Sequence, residues 1–146
     1  MSSQWLAWQP FSPKYPPHER SEKGAYQLRW ARNGVETPIC RLGGTDTEGI
    51  LYVGHTDSEG GLQRRLRTHN RAMFRPNPQR RSRIPGIRRY YEFEYSAVVK
   101  KDEIEYHVMY TQEGEKVERC LLIRYLRKFK DMPPLNASVP RNTGDC

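Results

Sequence analysis

LYVGHTDSEGGLQRRLRTH, the stretch at residues 51–69, predicts a short strand, a turn and a helix in immediate succession. The strand carries Tyr52, Gly54 and His55, and the helix carries Arg65 and His69 at i, i+4 spacing. Residues four apart lie on one side of a helix, so these two side chains are neighbours. We therefore expect phenol, imidazole and guanidinium groups around one strand-to-helix junction, where they suit phosphate chemistry.

Positive charge is concentrated in the segment that this helix opens. The chain of 146 residues has a net charge of +8, and residues 60–91 contain ten arginines and no Asp or Glu. Arginine binds phosphate through a planar fork and stacks on bases, so this stripe favours nucleic acid as the partner. A solvated arginine-rich loop or an anionic protein partner would give the same composition.

The composition gives no indication of a membrane span. The sequence has no run of 18 apolar residues, and its N-terminal residues lack the basic start and the apolar core of a signal peptide. The three cysteines, Cys40, Cys120 and Cys146, are odd in number and widely spaced. We therefore expect a cytoplasmic protein with reduced cysteines and no zinc site.

The N-terminal residues predict an extended arm that is fastened to the body of the protein. Residues 1–20 contain four prolines and show little periodicity. Trp5, Trp8 and Phe11 are expected to pack this arm onto the body, because three large aromatic side chains rarely remain in water.

A hairpin and a helix follow the arm. Residues 24–30 and 50–55 alternate as two strands that should pair, and the turn formers between them include a short strand near residues 39–42. Asp57 or Ser58 is expected to cap the helix that follows. The apolar stripe of that helix contains Leu62, Leu66 and Met73.

The second half predicts a loop, another hairpin and a final helix. Residues 74–88 are rich in proline and predict a loop, whereas residues 89–99 and 103–111 alternate as strands of a second hairpin. A helix over residues 113–130 should stop before Pro133-Pro134. The predicted fold class is α+β, with a small, mostly antiparallel β-sheet flanked by two helices.

Glu118 occupies an unexpected position in the last helix. At about 100° per residue it falls in the middle of an apolar stripe. The stripe consists of Val117, Leu121, Leu122, Tyr125, Leu126 and Phe129. An unpaired buried carboxylate is costly, so we expect a partner, which could be an arginine or a divalent cation. A rotated helix or a side chain that reaches out to water would remove the anomaly.

Several of these motifs resemble those of the GIY-YIG nuclease family. Residues 24–26 (GAY) and 52–54 (YVG) are similar to the two tripeptides that name the family and that lie on adjacent strands there. Residues 62–66 (LQRRL) resemble the L-x-x-R-L helix of the family. This match makes Arg65 equivalent to its arginine and His69 to a position held by tyrosine or histidine.

The resemblance continues to the end of the chain and covers roughly residues 24–136. His55 follows the second tripeptide, where relatives often have lysine. Glu118 resembles the metal-binding glutamate, and residues 133–136 (PPLN) resemble a P-P-L-N ending whose asparagine belongs to the active-site shell. The chain departs from the pattern at Ala25, where the family has Ile or Val, and in its longer connection between the two tripeptides.

The resemblance implies metal-dependent hydrolysis of phosphodiesters. One Mg²⁺ or Mn²⁺ ion would be held by Glu118, with water and phosphate oxygens as its other ligands. Arg65 would bind the scissile phosphate, Tyr26 would accept or relay the proton of the attacking water, and Tyr52 would hydrogen-bond phosphate or water. The other implied catalytic residues are His55, His69 and Asn136.

Each of these residues also has an ordinary structural interpretation. Tyr26 and Tyr52 could be strand aromatics, and His55 and His69 could be surface histidines. Arg65 is one of ten arginines in its segment, and only its register distinguishes it.

DNA is the substrate that the charge and the resemblance favour together. The expected DNA contacts are Arg64, Arg67, Arg71, Arg75, Arg80, Arg81, Arg83 and Arg88. The domain would span residues 21–138, between the arm and a tail at 139–146. The size fits a small restriction-type or mobile-element nuclease, and a homodimer would let one small domain cut both strands. The alternative is a non-catalytic nucleic-acid-binding module on the same fold, since an unrelated RNA-binding protein leaves Glu118 unexplained.

Overall fold

The protein has an α+β fold in which helices cover both faces of an antiparallel sheet. The computed structural model describes residues 4–14, 17, 19–77, 79, 82–141 and 144–146. The strands are β1 (Gln9–Pro10), β2 (Gly24–Arg32), β3 (Val35–Glu36), β4 (Ile39–Arg41), β5 (Gly44–Asp46), β6 (Ile50–Thr56) and β7 (Ile104–Tyr110). The helices are α1 (Gly61–Phe74), α2 (Pro85–Glu92) and α3 (Gly114–Phe129).

β2 is the central strand of the sheet. It pairs with β6 on one side, which confirms the predicted hairpin, and with β7 on the other. β1 extends the sheet beyond β7, and β3 pairs with the end of β2. The expected short strand near residues 39–42 is β4, which forms a small separate hairpin with β5. Every strand pair in the described part of the chain is antiparallel.

One face of the sheet carries the larger core. Tyr26 lies opposite Gly54 and Leu28 lies opposite Tyr52, and because side chains alternate along a strand these four residues share this face. α1 and α2 cover it. The helical side chains buried there are Leu62, Leu66, Met73, Ile87 and Tyr90.

The other face of the sheet is covered by α3. Val53 and His55 alternate with Tyr52 and Gly54, so they belong to this face. Val53 packs in a second buried cluster against three residues of α3. Those residues are Leu122, Tyr125 and Phe129.

Residues 89–99 form no strand, so the predicted second hairpin is wrong. They begin within α2, whose first residue, Pro85, has a fixed φ that suits the start of a helix. Helical spacing brings Ile87 and Tyr90 into the core together, although the aromatic alternation that follows imitates a strand. β7 therefore pairs with β2 instead, and the described residues form three α-helices where two were predicted.

α1 is capped by a distant backbone segment, so the prediction of a cap at Asp57 or Ser58 is wrong. The helix has no side-chain cap. The carbonyls of Arg20 and Glu22 accept hydrogen bonds at 3.1 and 2.9 Å from two amides of its first turn. These bonds satisfy amides that have no partner within the helix, and they hold α1 beside the start of β2.

Cys120 on α3 forms a disulfide with Cys146, so the expectation of reduced cysteines is wrong for this pair. Cys40 is a free, exposed thiol. The disulfide spans 26 residues of sequence, a separation that carries no recognisable motif. Asp145 also accepts two hydrogen bonds from Arg119, at 3.1 and 2.8 Å, so the last residues are fastened to α3.

The N-terminal arm packs onto the body through its aromatic residues, as expected. Phe11 is buried in the larger core. Trp5 and Trp8 stack on His107 of β7, with ring centroids 4.2 and 3.6 Å away. The imidazole also bonds Gln27 of β2, at 2.6 Å, so the arm and the two central strands are held together.

Asp46 organises the turn that leads into β6. It is 1% exposed, and its carboxylate accepts hydrogen bonds at 2.9 to 3.2 Å from three backbone amides. These amides belong to Glu48, Gly49 and Ile50. The hydroxyl of Tyr125 on α3 donates a further bond, at 2.9 Å. The carboxylate therefore fixes both the start of β6 and its distance from α3.

Replacing Asp46 with alanine should lower the free energy of unfolding by about 3 kcal/mol, because buried amides would lose their acceptor. Urea denaturation monitored by circular dichroism measures the change. Glu48→Ala, an exposed change in the same turn, is the control and should be nearly neutral. Equal losses in the two variants would contradict this role for Asp46.

Candidate active site

Tyr26 and Tyr52 pack together over Gly54, and this contact explains the glycine. The two rings lie with centroids 5.9 Å apart. A Cβ at Gly54 would lie 2.6 Å from the Tyr26 ring and 2.8 Å from the Tyr52 ring. On the other side of Tyr52, Gly86 of α2 approaches so closely that a Cβ would lie 3.1 Å from the ring. The sheet and α2 therefore hold the phenols in one arrangement.

His69 on α1 is fully buried behind the tyrosines. Its Nε2 lies 2.9 Å from the Tyr26 hydroxyl, which also accepts a hydrogen bond from Nε of Arg65 at 3.4 Å. Which of the two groups donates depends on the tautomer of the ring, and Nδ1, the other ring nitrogen, is buried without a hydrogen-bond partner among the described residues. Burial, aided by the charge of Arg65, lowers the pKa of His69 to about 3, so the ring is neutral at physiological pH.

Arg65 is a half-buried guanidinium with no carboxylate partner among the described residues. It lies against the two phenols. Burial raises the pKa of Tyr26 well above its usual value, and the charge of Arg65 only partly opposes this effect. The phenols therefore remain neutral, and the positive charge of Arg65 is available to an anion.

His55 and Glu118 form a second group, which belongs to the face covered by α3. Nδ1 of His55 hydrogen-bonds the carboxylate of Glu118. The two side chains are 28% and 26% exposed, so Glu118 lies at the edge of the apolar stripe and not in its middle. The expected partner of this carboxylate was an arginine or a cation, whereas in the structure it is an imidazole.

Asp57 and Glu115 adjoin this pair, although neither was predicted as a site residue. Asp57 Oδ2 lies 3.4 Å from His55 Nε2. One ligand atom each from His55, Asp57 and Glu115 lie within 4.8 Å of one another. Both acids could have been found from spacing alone, since Asp57 follows His55 by two residues and Glu115 precedes Glu118 by almost one helical turn.

Tyr52 connects the two groups electrostatically. Burial raises its pKa, the negative charge of Glu118 raises it further, and the positive charge of Arg65 lowers it. The pKa of Tyr52 therefore depends both on the Arg65 guanidinium on one side of the sheet and on the Glu118 carboxylate on the other. An anion bound near this tyrosine would experience the same two charges.

Asn136 lies at the free edge of β6 and contacts only backbone there. Its side chain accepts a hydrogen bond from the amide of Val53 at 3.0 Å and donates one to the carbonyl at 2.9 Å. Leu135 donates a further bond to the carbonyl of Leu51, at 2.9 Å. The P-P-L-N segment thus hydrogen-bonds the backbone on either side of Tyr52 and helps to hold that part of β6 in place.

Three of the eight predicted DNA-binding arginines lie on the outer surface of α1, and Arg75 follows its last residue. Within the described residues, five of them are exposed and form no ion pair. These five are Arg64, Arg67, Arg71, Arg75 and Arg83. Arg88 is paired with Glu92 at 3.1 Å. Arg80 and Arg81 lie outside the described residues.

Comparisons with known proteins do not place the chain in a family. No protein-family model matches it, and comparisons with curated proteins and with solved structures give no match. Among the described residues, no helix has the length and the apolar character needed to cross a bilayer.

Replacing Gly54 with alanine should lower the free energy of unfolding by about 2 kcal/mol, because the new methyl group overpacks both tyrosine rings. Denaturant titration measures the loss. Gly34→Asn is the control, since Gly34 has a positive φ that asparagine tolerates and no neighbouring atom within 4 Å. A Gly54 variant as stable as this control would contradict the packing argument.

Acid should destabilise the protein through two buried histidines, His69 and His107. Burial lowers the pKa of His107 to about 4 and that of His69 to about 3. An unfolded histidine binds a proton below about pH 6.5, so the unfolded state takes up more protons there and stability falls as pH decreases. Each histidine contributes up to about 1.4 kcal/mol per pH unit to the slope of the free energy of unfolding against pH.

Urea denaturation between pH 6.5 and pH 4 tests this dependence. His69→Gln should reduce the slope of the free energy of unfolding against pH by up to the contribution of one proton, about 1.4 kcal/mol per pH unit. This reduction is expected whatever the effect of the substitution on overall stability. The groups that face His69 are Tyr26, Tyr52 and Arg65, none of which titrates in this range. An unchanged slope in the variant would contradict the assignment of a neutral buried ring.

Proposed function

We propose that this protein is a divalent-metal-dependent endonuclease of the GIY-YIG type that hydrolyses DNA. The observation that carries the proposal is Arg65, a half-buried guanidinium held by the Tyr26 hydroxyl and left without a carboxylate partner in the described part of the chain. A half-buried guanidinium without a carboxylate partner binds an anion strongly, because little water competes for it. The scissile phosphate is the anion proposed here.

The arrangement of the motifs supports the family assignment. Residues 24–26 and 52–54 lie on the antiparallel neighbours β2 and β6. Arg65 and His69 lie on the helix directly after β6, and Glu118 lies on the last helix. Four separate parts of the sequence thus supply groups around Tyr52, as a nuclease site of this kind requires.

The donors near Glu118 fit a divalent cation. Carboxylate oxygens suit Mg²⁺ and Mn²⁺. Glu118 would hold the ion, and its partner His55 also belongs to a group with the carboxylates of Asp57 and Glu115 whose ligand atoms lie within 4.8 Å of one another. A bound cation would supply charge stabilisation for the phosphate and its leaving oxygen.

His55 is better placed than Tyr26 to accept the proton of the attacking water. Tyr26 is fully buried, its pKa is raised, and its neighbour His69 is a weak base because its pKa is about 3. His55 is partly exposed, and the Glu118 carboxylate orients its ring through Nδ1. Nε2 would then accept the proton, while Tyr26 and His69 position Arg65 and Tyr52.

DNA is proposed as the substrate because of the arginines that α1 exposes on its outer surface. Unpaired arginines on α1 bind a phosphate backbone through charge, and this binding weakens as salt increases. Contacts to five to eight phosphates would give a slope of log K against log salt of roughly −4 to −7. A small restriction-type or mobile-element enzyme that acts as a homodimer is the biological role we propose.

Cleavage of supercoiled plasmid in Mg²⁺ or Mn²⁺, with wild type beside Glu118→Gln, tests the proposal. Wild type should cut, and the variant should lose at least about 100-fold in rate while its DNA binding is retained. Glu113→Gln, an exposed change at the start of the same helix, is the matched control. Nicked product would indicate a single site, and linear product would indicate two sites acting together.

Failure of wild type to cut any plasmid in either metal would overturn the nuclease proposal. Retained, salt-dependent DNA binding in that case would favour the non-catalytic binding module. Equal activity of the Glu118 and Glu113 variants would remove Glu118 from the site.

A further inference from the structure

A groove on the outer side of α1 combines an arginine-lined pocket with an apolar one. The arginine pocket has a volume of about 260 Å³. It is lined by Pro13, Arg67, Asn70, Arg71, Phe74 and Arg75. None of these described lining residues is acidic, and three of them are arginines, so the walls carry positive charge.

The three arginines of this pocket form a regular row. Arg67, Arg71 and Arg75 follow each other at intervals of four residues, so about 6 Å of helix separates each from the next. Each is exposed, and within residues 4–77 and the other described segments none is neutralised by a carboxylate. A row of this kind follows a chain of phosphates better than it binds one compact anion.

The apolar pocket adjoins the arginine pocket and shares two of its walls, Pro13 and Phe74. Its volume of about 660 Å³ is large enough for a base. The Phe74 side chain is half-buried between the two pockets. Lys100, Lys101 and Asp102 line the second pocket, so basic residues occur in both pockets and the second carries a net charge of about +1 from these three.

We propose that this groove binds single-stranded nucleic acid, with phosphates along the arginine row and a base stacked against Phe74 and Pro13. Charged tracks with interleaved aromatic side chains are how proteins hold single strands, because every base has a face that can stack. A duplex would keep its bases stacked inside and would leave the apolar pocket unfilled. The chemistry of the groove therefore fits a strand whose bases are accessible.

The groove is separate from the candidate active site. On a helix, Arg67 and Arg71 lie about 200° and 240° around from Arg65, so they point away from the tyrosines. One phosphate cannot contact both sides. This inference rests on the proposed function only in naming DNA, and it implies that the substrate carries a single-stranded flank that crosses the outside of α1.

Fluorescence anisotropy with a short labelled deoxythymidine oligonucleotide tests the groove. Arg67→Ala/Arg71→Ala should weaken binding about tenfold or more and should make the salt slope shallower by about 1.4, or 0.7 for each lost phosphate contact. Arg124→Ala/Arg127→Ala removes the same charge from exposed positions on α3 and should change affinity less than threefold. Equal losses in both double variants would overturn the proposal.

Phe74→Leu separates stacking from charge. Leucine keeps the apolar contact with Phe11 but removes the ring on which a base would stack. Affinity for the oligonucleotide should fall about fivefold to tenfold with an unchanged salt slope, and affinity for a blunt duplex of the same length should be unaffected. A Phe74→Leu protein that binds the single strand as wild type does would also overturn the proposal.

The two proposals fail independently in these experiments. If plasmid is not cut but the groove variants lose single-strand binding selectively, the groove stands and the nuclease proposal falls. If Glu118→Gln abolishes cleavage but the groove variants bind the oligonucleotide normally, the nuclease stands and the groove assignment falls.

Discussion

The close packing of Tyr26 and Tyr52 over Gly54 is the constraint on which the candidate site depends. Both rings occupy space that any Cβ would take, so the strand pair can hold them together only at a glycine. Gly86 of α2 then presses on Tyr52 from the other side. Because the phenols are fixed from both directions, Arg65 and His69 on α1 have a defined surface against which to pack.

Burial decides the electrostatic character of this site. The desolvation that keeps Tyr26 protonated also keeps His69 neutral, so neither of these neighbours neutralises Arg65. The carboxylates lie with His55, near α3, and are partly exposed. The sheet therefore separates a cationic group from an anionic group, and Tyr52 experiences both. This separation would let phosphate and a cation bind side by side without direct competition from an internal salt bridge.

Local signals in the sequence predicted the central strand pair and the first helix. The pairing of β2 with β6 and the apolar stripe of α1 are confirmed, although β6 is buried on both faces because helices cover both sides of the sheet. The prediction failed at α2, where adjacent tyrosines imitate an alternating strand but Ile87 and Tyr90 enter the core at helical spacing. It also failed at the helix cap and at Cys120–Cys146, because the partners come from distant segments.

The sequence by itself determined the α+β class, the central strand pair, and the grouping of Tyr52, Arg65 and His69 at one junction, because neighbours in sequence remain neighbours in a strand, turn and helix. The structure alone decided that Glu118 pairs with His55, that Glu115 approaches His55 and Asp57, and that Asp46 ties the turn before β6 to α3. These contacts cross between elements far apart in the chain. Their existence depends on how α3 rotates and docks against the sheet, and helical periodicity fixes the spacing of side chains along α3 but not the residues that they meet.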